Sequence, residues 1–199
     1  MAPPLLLVAG LLLHLLAAGI SAAPLSSDPN PADFIRSSCS TTLYPKLCYT
    51  SLIPYAGAIR HSPLILAVTA ANVSLSKIKD ASTTARAIQR GSTGRVGAAL
   101  RDCVESLRTA ASLTKDSVAE IKKLDPAAAA GGGPGIAWSA SNAQTWMSAA
   151  LTNEDTCVDG FDDIGGAAGT AAQAVCGKVG RVKKYSSNAL ALLNALVNG

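Results

Sequence analysis

The chain has 199 residues, and its 17 basic and 13 acidic side chains give a formal net charge of +4. This mild, dispersed charge argues against nucleic-acid binding, and a composition with 49% hydrophobic but only 4% aromatic residues favours closely packed helices over a sheet sandwich. The length suits a single domain with a sizeable core.

Residues 1–23 are interpreted as a signal peptide. Residues 5–20 form an almost unbroken apolar run that is too short for a comfortable membrane span, and small residues follow it before Pro24. No later segment is apolar over a membrane-spanning length. We therefore expect an exported mature chain with no membrane partner once the signal is removed.

Residues 24–62 are predicted to form a Pro-rich leader and a helical hairpin. Its two helices, at residues 32–39 and 45–56, are too short to be stable alone. A disulfide between Cys39 and Cys48 would join them, and the chain-entropy model gives about 2.5 to 3 kcal/mol for so small a loop.

The remaining residues, 63–199, carry four longer amphipathic patterns. The patterns lie at about 63–90, 94–124, 146–163 and 168–196. In each of them apolar residues recur at alternating steps of four and three, which places them on one face of a helix. Joined by mostly short connections, they predict an all-α, up-down-up-down four-helix bundle that forms a single domain with the hairpin.

The connection before the third long helix has the unusual sequence PAAAAGGGPG, at residues 126–135. Its alanines are compatible with a helix, but its glycines and Pro134 are expected to stay outside one. The third helix is therefore expected to begin only a turn or two before Trp146.

The third helix combines a core face with a cluster of carboxylates. Its predicted core positions are Ala143, Met147, Ala150, Glu154, Cys157, Phe161 and Ile164. Only Glu154 interrupts this apolar face. The carboxylates outside it are expected to be exposed, where they could form an interaction surface.

Export places the five cysteines in an oxidising compartment, where disulfides are expected. Spacing alone leaves about fifteen ways to form two bridges and one free thiol. Cys103 and Cys157 lie on predicted core faces, and antiparallel neighbouring helices could bring them together, at a gain of about 4 kcal/mol. Cys176 is interpreted as a small buried hydrophobe. The spacing fits neither a redox pair nor a zinc site, so we expect no metal and no cofactor.

Four ordered sequence blocks span essentially the whole mature chain. They are CSTTLYPKLCYTSLIPYA at 39–56, ALRDCVESL at 99–107, WMSAALTNEDTCVDGF at 146–161 and SNALALLN at 187–194. With the order of the cysteines, they resemble the plant invertase and pectin methylesterase inhibitor family. The resemblance implies a stapled hairpin before a four-helix bundle, bridges from Cys39 to Cys48 and from Cys103 to Cys157, and a free Cys176.

The resemblance also implies a function and a set of contact residues. It implies a secreted inhibitor in the apoplast or cell wall that binds a pectin methylesterase non-covalently, one to one, and covers its substrate cleft. Carried over by motif position, the contacts are Glu105, Thr156 and Asp159. The alternative for each is a surface residue without a role, and for Thr156 a hydroxyl that bonds its own helix backbone.

An enzyme is the first competing class. Nucleophilic catalysis needs a positioned base, and the mature chain offers only His61, with no catalytic motif around it. The carboxylates of the third helix could supply a pair for glycoside hydrolysis, but a solvated helix face explains them better. Similar blocks occur in the pro-regions of some pectin methylesterases, in which a catalytic domain of several hundred residues follows, and we expect no such domain in this protein. We therefore expect an inhibitor and not an enzyme.

Two further alternatives concern the partner. Acid invertase is the other target of the family, but its inhibitors resemble this chain while carrying a Pro-Lys-Phe element, and the nearest string here is Pro45-Lys46-Leu47. A wall protein that binds pectin through the basic run 181–184 is the second alternative; a solvated helix flank is the simpler explanation of that run. Separately, Asn72-Val73-Ser74 is a sequon for N-glycosylation.

Overall fold

The computed structural model describes residues 30–124, 134–162, 164 and 169–198. The proposed signal peptide and most of the 126–135 connection lie outside these residues. Within them every regular element is helical and none is a strand, so the predicted all-α class is confirmed. None of these helices combines the length and the apolar character that a membrane span requires.

The N-terminal part is a hairpin of short helices. Its elements are α1 (Pro31–Ser40), α2 (Pro45–Leu52), a 3₁₀ turn (Ile53–Tyr55) and α3 (Ala56–Ile59). Asn30 caps α1 by accepting a hydrogen bond from the Ala32 N–H at 3.0 Å. A disulfide joins Cys39 to Cys48, as the family resemblance implied. The second predicted helix thus continues past residue 56, through the 3₁₀ turn, and stops at Arg60, whose φ is 50°.

Four long helices follow the hairpin. They are α4 (Pro63–Gln89), α5 (Gly94–Lys122), α6 (Pro134–Asp159) and α7 (Gly169–Asn198). Ser62 caps α4 through a bond from the Ile65 N–H, and Gly94 adopts the positive φ of 59° at the start of α5. Each helix packs on two neighbours in the cyclic order α4, α5, α6, α7, and α5 and α7 lie diagonally opposite. This is the predicted four-helix bundle.

The start of α6 corrects one prediction. We expected Pro134 to stay outside the helix, but α6 begins at that residue and therefore extends twelve residues before Trp146. Proline is tolerated at a first helical position because its missing N–H would have no partner there, and its fixed φ suits the helix.

The bundle core consists of two apolar clusters with a polar layer between them. One cluster contains Ile78, Leu100, Leu107, Val175 and their neighbours; the other, beside the hairpin, contains Ile35, Leu66, Ile121, Met147 and Leu193. Four buried hydroxyl residues lie between the clusters along their helices: Ser74, Thr114, Ser117 and Ser186. The predicted core positions of all four long helices are buried, or partly buried at the ends, wherever the structure describes them.

Candidate interaction surface

Helices α5 and α6 form the most firmly joined pair of the bundle. The disulfide Cys103–Cys157, which closes a sequence separation of 54 residues, joins them at one end. Towards the other end, the buried Ser117 Oγ donates a 2.8 Å hydrogen bond to the carbonyl oxygen of Ala143. A covalent bond and a buried hydrogen bond therefore fix the relative register of the two helices.

The three residues carried over from the family all lie on the outside of this pair. Glu105 is exposed on α5 and accepts a hydrogen bond from Arg108 one turn later. Thr156 is exposed on α6, and its hydroxyl donates a 2.9 Å hydrogen bond to the Thr152 carbonyl. This hydrogen bond to its own helix backbone is the alternative role that the sequence offered for Thr156. Asp159 is exposed at the last residue of α6.

The exposed face of α6 is long and largely uncharged. It presents Trp138, Ser141, Thr145, Trp146, Ser148, Thr152 and Thr156. Trp138 is 70% exposed and Trp146 37%. Tryptophan is enriched at the energetically dominant positions of protein interfaces, whereas serine and threonine are not. The two tryptophans are therefore the residues of this face that favour protein binding.

The carboxylates of α6 lie in different environments. Glu154, predicted on the core face, is completely buried. Asp155, which was expected to be exposed, is only partly exposed and makes an ion pair with Lys183 of α7. The pKa of Lys183 is raised, chiefly because its ammonium group donates a hydrogen bond to Asp155. The negative charge of Asp159 acts in the same direction. Asp159 and Asp162 remain exposed, and Asp163 lies outside the described residues.

Glu154 belongs to a buried hydrogen-bond chain that crosses three helices. Ser186 Oγ of α7 donates to Glu154 Oε1 at 2.6 Å, and Ser186 and Ser74 of α4 share another bond of 2.6 Å. Burial raises the pKa of Glu154 to about 8, although the bond from Ser186 acts in the opposite direction. The carboxyl group is therefore protonated in the folded protein at acidic and neutral pH.

The sequence indicated part of this buried hydrogen-bond series, but not all of it. Glu154 stood on the predicted core face of α6, and Ser74 and Ser186 occupy equivalent positions of α4 and α7, between buried apolar residues. Periodicity shows that each of the three faces a core. It cannot show that they meet, because that depends on the register between helices.

Cys176 is the free thiol in the described chain, and it is partly buried against the core. Burial is the main cause of its raised pKa, and the nearby Asp162 carboxylate acts in the same direction. A thiol with a raised pKa forms little thiolate at neutral pH and reacts slowly.

Alkylation should separate this thiol from the bridges. We expect iodoacetamide to add a single label, on Cys176, when the unreduced protein is unfolded, and to label the folded protein much more slowly. Mass spectrometry of non-reduced peptides should recover Cys39 with Cys48 and Cys103 with Cys157. A label on Cys103 would contradict the α5–α6 linkage.

Asn72 lies exposed on α4, so a glycan there would project from the bundle. Ser74, the third residue of the sequon, is completely buried, where it takes part in the hydrogen bonds that lead through Ser186 to Glu154. Modification of Asn72 would therefore have to precede folding of α4. Glycosylation at this position stays a prediction.

The described residues also bear on the competing class of enzymes. His61, the histidine among the described residues, is exposed and contacts the edge of the Phe34 ring, at 5.7 Å between ring centroids. α5 and α6, which carry the expected contacts, present them outward and are joined by a disulfide. A disulfide-linked helical bundle with outward-facing contact residues is the arrangement expected of a binding protein.

Comparison with known proteins identifies the kind of binding protein. The chain belongs to the plant invertase/pectin methylesterase inhibitor family, whose sequence model matches residues 33–192. Members of this family inhibit enzymes, so the chain is an enzyme inhibitor and not an enzyme, as the sequence indicated.

Individual relatives agree with this assignment. The chain is 39% identical over 170 residues to pectinesterase inhibitor 10 of Arabidopsis thaliana, covering 84% of this chain but only 52% of that relative. It is 39% identical over 190 residues to the 21 kDa protein of Daucus carota, covering 94% and 92%. A crystal structure of a mutant form of a pectin methylesterase inhibitor from Arabidopsis has a TM-score of 0.59 at 19% identity, covering 78% of this chain and 92% of that one. The structural similarity supports the fold.

Proposed function

We propose that the mature chain is a secreted inhibitor of plant pectin methylesterase in the apoplast or cell wall. It binds the enzyme non-covalently, one to one, and covers the cleft in which methylated pectin lies. The observation that carries this proposal is the uncharged, tryptophan-bearing face of α6, held in register with α5 by Cys103–Cys157. Relatives named pectinesterase inhibitors support the choice of target.

The proposed contacts divide between the two helices. Glu105 supplies a negative charge from α5, Asp159 supplies one at the end of α6, and Thr156 lies within the uncharged face. Charges at the edge of an interface guide association and orientation, while an apolar centre excludes water. We therefore assign most of the affinity for the enzyme to the α6 face. The two carboxylates guide association and orient the inhibitor on the enzyme.

Acid invertase is the alternative target, because the family includes inhibitors of both enzymes. The string nearest to the invertase-type element, Pro45-Lys46-Leu47, opens α2 of the hairpin instead of lying on α5 or α6. The chain therefore offers no counterpart of that element on the proposed binding face.

The deciding experiment compares the two enzymes. We expect the purified, oxidised chain to slow methanol release from methylated pectin by a plant esterase and to leave sucrose hydrolysis by acid invertase unchanged. Because the inhibitor covers the cleft, added pectin should relieve inhibition or delay its onset. Inhibition of invertase with the esterase unaffected would show that the chain belongs to the other branch.

A double substitution tests the contact residues. Glu105→Ala with Asp159→Ala should weaken esterase inhibition at least about tenfold, which corresponds to about 1.4 kcal/mol, while the melting temperature stays nearly constant. The matched control is Asp33→Ala with Asp80→Ala, which removes two exposed carboxylates from α1 and α4. Because Asp80 pairs with Lys178 beside a basic groove, both double variants are also compared by complex formation with the esterase in the absence of pectin. Equal effects of the two variants would point to net charge and contradict specific contacts on α5 and α6.

A further inference from the structure

A basic groove lies between the N-terminal hairpin and α7. It has a volume of about 600 Å³, and its walls are the start of α2 with the turn before it and the outer face of α7. Lys46, Arg181 and Lys184 line it, and none of the described residues in its lining is a carboxylate. The groove is therefore positively charged, and its cations come from segments far apart in sequence.

The fold divides the basic run 181–184 to make this groove. Val182 is buried in the core, and Lys183 turns towards α6 and pairs with Asp155. Arg181 and Lys184 remain exposed and line the groove together with Lys46. Arg181 and Lys184 form this groove only because the N-terminal hairpin packs beside α7.

An aromatic ring forms part of the groove wall. The backbone of Tyr44 is held by the buried Asn188, whose Oδ1 accepts from the Tyr44 N–H at 3.1 Å and whose Nδ2 donates to the Tyr44 carbonyl at 3.0 Å. Lys184 Nζ lies 5.4 Å from the centroid of the Tyr44 ring. The ring and the cation are therefore positioned before any ligand arrives.

A second groove of about 400 Å³ adjoins the first, since Arg181 lines both. It adds Lys77, Lys178 and the ring of Tyr185, and its one carboxylate among the described residues, Asp80, pairs with Lys178 at 2.9 Å. Positions 178, 181 and 184 recur every three residues, so α7 offers a cation about every 4.5 Å along its axis. Such a row suits a linear polyanion better than a compact anion.

We propose that this row of grooves binds a linear polyuronate, with its carboxylates paired to Lys46, Arg181 and Lys184 and a sugar ring against Tyr44. Guanidinium groups bind carboxylates through two parallel hydrogen bonds, and a tyrosine ring offers an apolar face to a pyranose. The choice of a uronate rests on the proposed function, because demethylation of pectin produces this polymer. Binding here holds the inhibitor on stretches that the esterase has already demethylated.

The site shares no residue with the proposed enzyme contacts. Its residues belong to α2, α4, α7 and the turn before α2. Glu105 lies on α5, diagonally across the bundle from α7, whereas Thr156 and Asp159 lie on α6, which packs beside α7 but lines neither groove. Polymer and esterase can therefore be tested independently.

The bundle also contains a suitable control. A groove of about 530 Å³ between α4 and α5 is lined by Lys79, Arg86, Arg108 and Lys115, but no aromatic residue lines it within the described chain. Arg108 is already paired with Glu105. Neutralising three of these cations changes the net charge as much as neutralising the three of the proposed site.

The experiment measures binding of defined-length polygalacturonate to the mature protein at roughly 0.1 M salt, without any esterase. We expect the triple variant Lys46→Gln, Arg181→Gln, Lys184→Gln to lose at least about tenfold in affinity, and the control Lys79→Gln, Arg86→Gln, Lys115→Gln less than about threefold. Methyl-esterified pectin of equal length should bind at least about tenfold more weakly to the unmodified chain, because it lacks the charges.

The outcomes separate this proposal from the inhibitor function. The groove variant should still form a complex with the esterase in the absence of pectin, and the Glu105 and Asp159 double variant should still bind polygalacturonate. Equal losses in the two triple variants, or no binding by the unmodified chain, would overturn the proposal. Tighter binding of single-stranded DNA of equal charge would overturn the assignment to uronates.

Discussion

Replacing Glu154 with glutamine is expected to remove most of the dependence of the bundle's stability on pH between about 4.5 and 8. Burial raises the pKa of Glu154 from 4.5 to about 8 in the folded protein. Between these values the folded state holds a proton that the unfolded state has released. The free energy of unfolding therefore falls as the pH rises, by up to about 1.4 kcal/mol per pH unit, and levels off above pH 8.

The surroundings of Glu154 explain the sign of this effect. Ser186 of α7 donates to its Oε1, Ser74 of α4 extends the chain, and no described protein group bonds its Oε2. The charged neighbours are Asp155 on the same helix, which raises the pKa, and Lys183 of α7, which lowers it. Their opposing effects leave desolvation as the dominant cause, so ionisation would place a poorly compensated charge in the core.

Denaturant unfolding at pH 5 and pH 8 measures this prediction. The unmodified chain should be more stable at pH 5 by roughly 3 to 4 kcal/mol, whereas Glu154→Gln should show only a small difference. Asp155→Asn is the matched control, because it neutralises the adjacent carboxylate, which is partly exposed, and should keep the pH dependence. An unchanged slope in Glu154→Gln would show that another group titrates.

Replacing Cys103 and Cys157 together with alanine is expected to lower the free energy of unfolding by about 4 kcal/mol or more. The bridge closes a separation of 54 residues, and both sulfurs are buried in the core, so its loss adds chain entropy to the unfolded state and removes packing. Replacing Cys39 and Cys48 should cost about 2.5 to 3 kcal/mol, because that loop spans only 9 residues.

Thermal or denaturant unfolding of the two double cysteine variants and of Cys176→Ala measures the order of these losses in the free energy of unfolding. Cys176→Ala serves as the control and should change stability least, because this residue is partly exposed and forms no bridge. The variant without Cys103 and Cys157 should also inhibit the esterase less well than expected from its folded fraction, since α5 and α6 lose their fixed register. A smaller loss than in the hairpin variant would refute the argument from loop length.

The family resemblance and the periodicity of apolar residues together predicted most of the fold. Steps of four and three placed Ala143, Met147, Ala150 and Cys157 on the buried face of α6, and each of them is buried. A helix requires only local hydrogen bonds and one apolar face, so its pattern is visible in a single sequence. The start of α6 escaped this reasoning, because the preference of proline for a first helical turn competes with its reputation as a helix breaker.

The contacts made by individual polar and charged side chains became known only from the tertiary structure. Periodicity placed Glu154 on the core face of α6, but it could not identify the partner of this carboxyl group, Ser186, which lies 32 residues away in sequence. The basic run 181–184 is split among the core, an ion pair and a groove completed by Lys46.

A single sequence was enough to locate the helices and their buried faces and, through four family blocks, to indicate the inhibitor family to which the chain belongs. The folded bundle was needed to show which polar groups meet, both in the hydrogen-bond series from Ser74 to Glu154 and in the basic groove. Periodicity fixes only the direction of a side chain around its own helix axis. The neighbours it meets depend on the packing and register of several helices, which are set by contacts between residues distant in sequence.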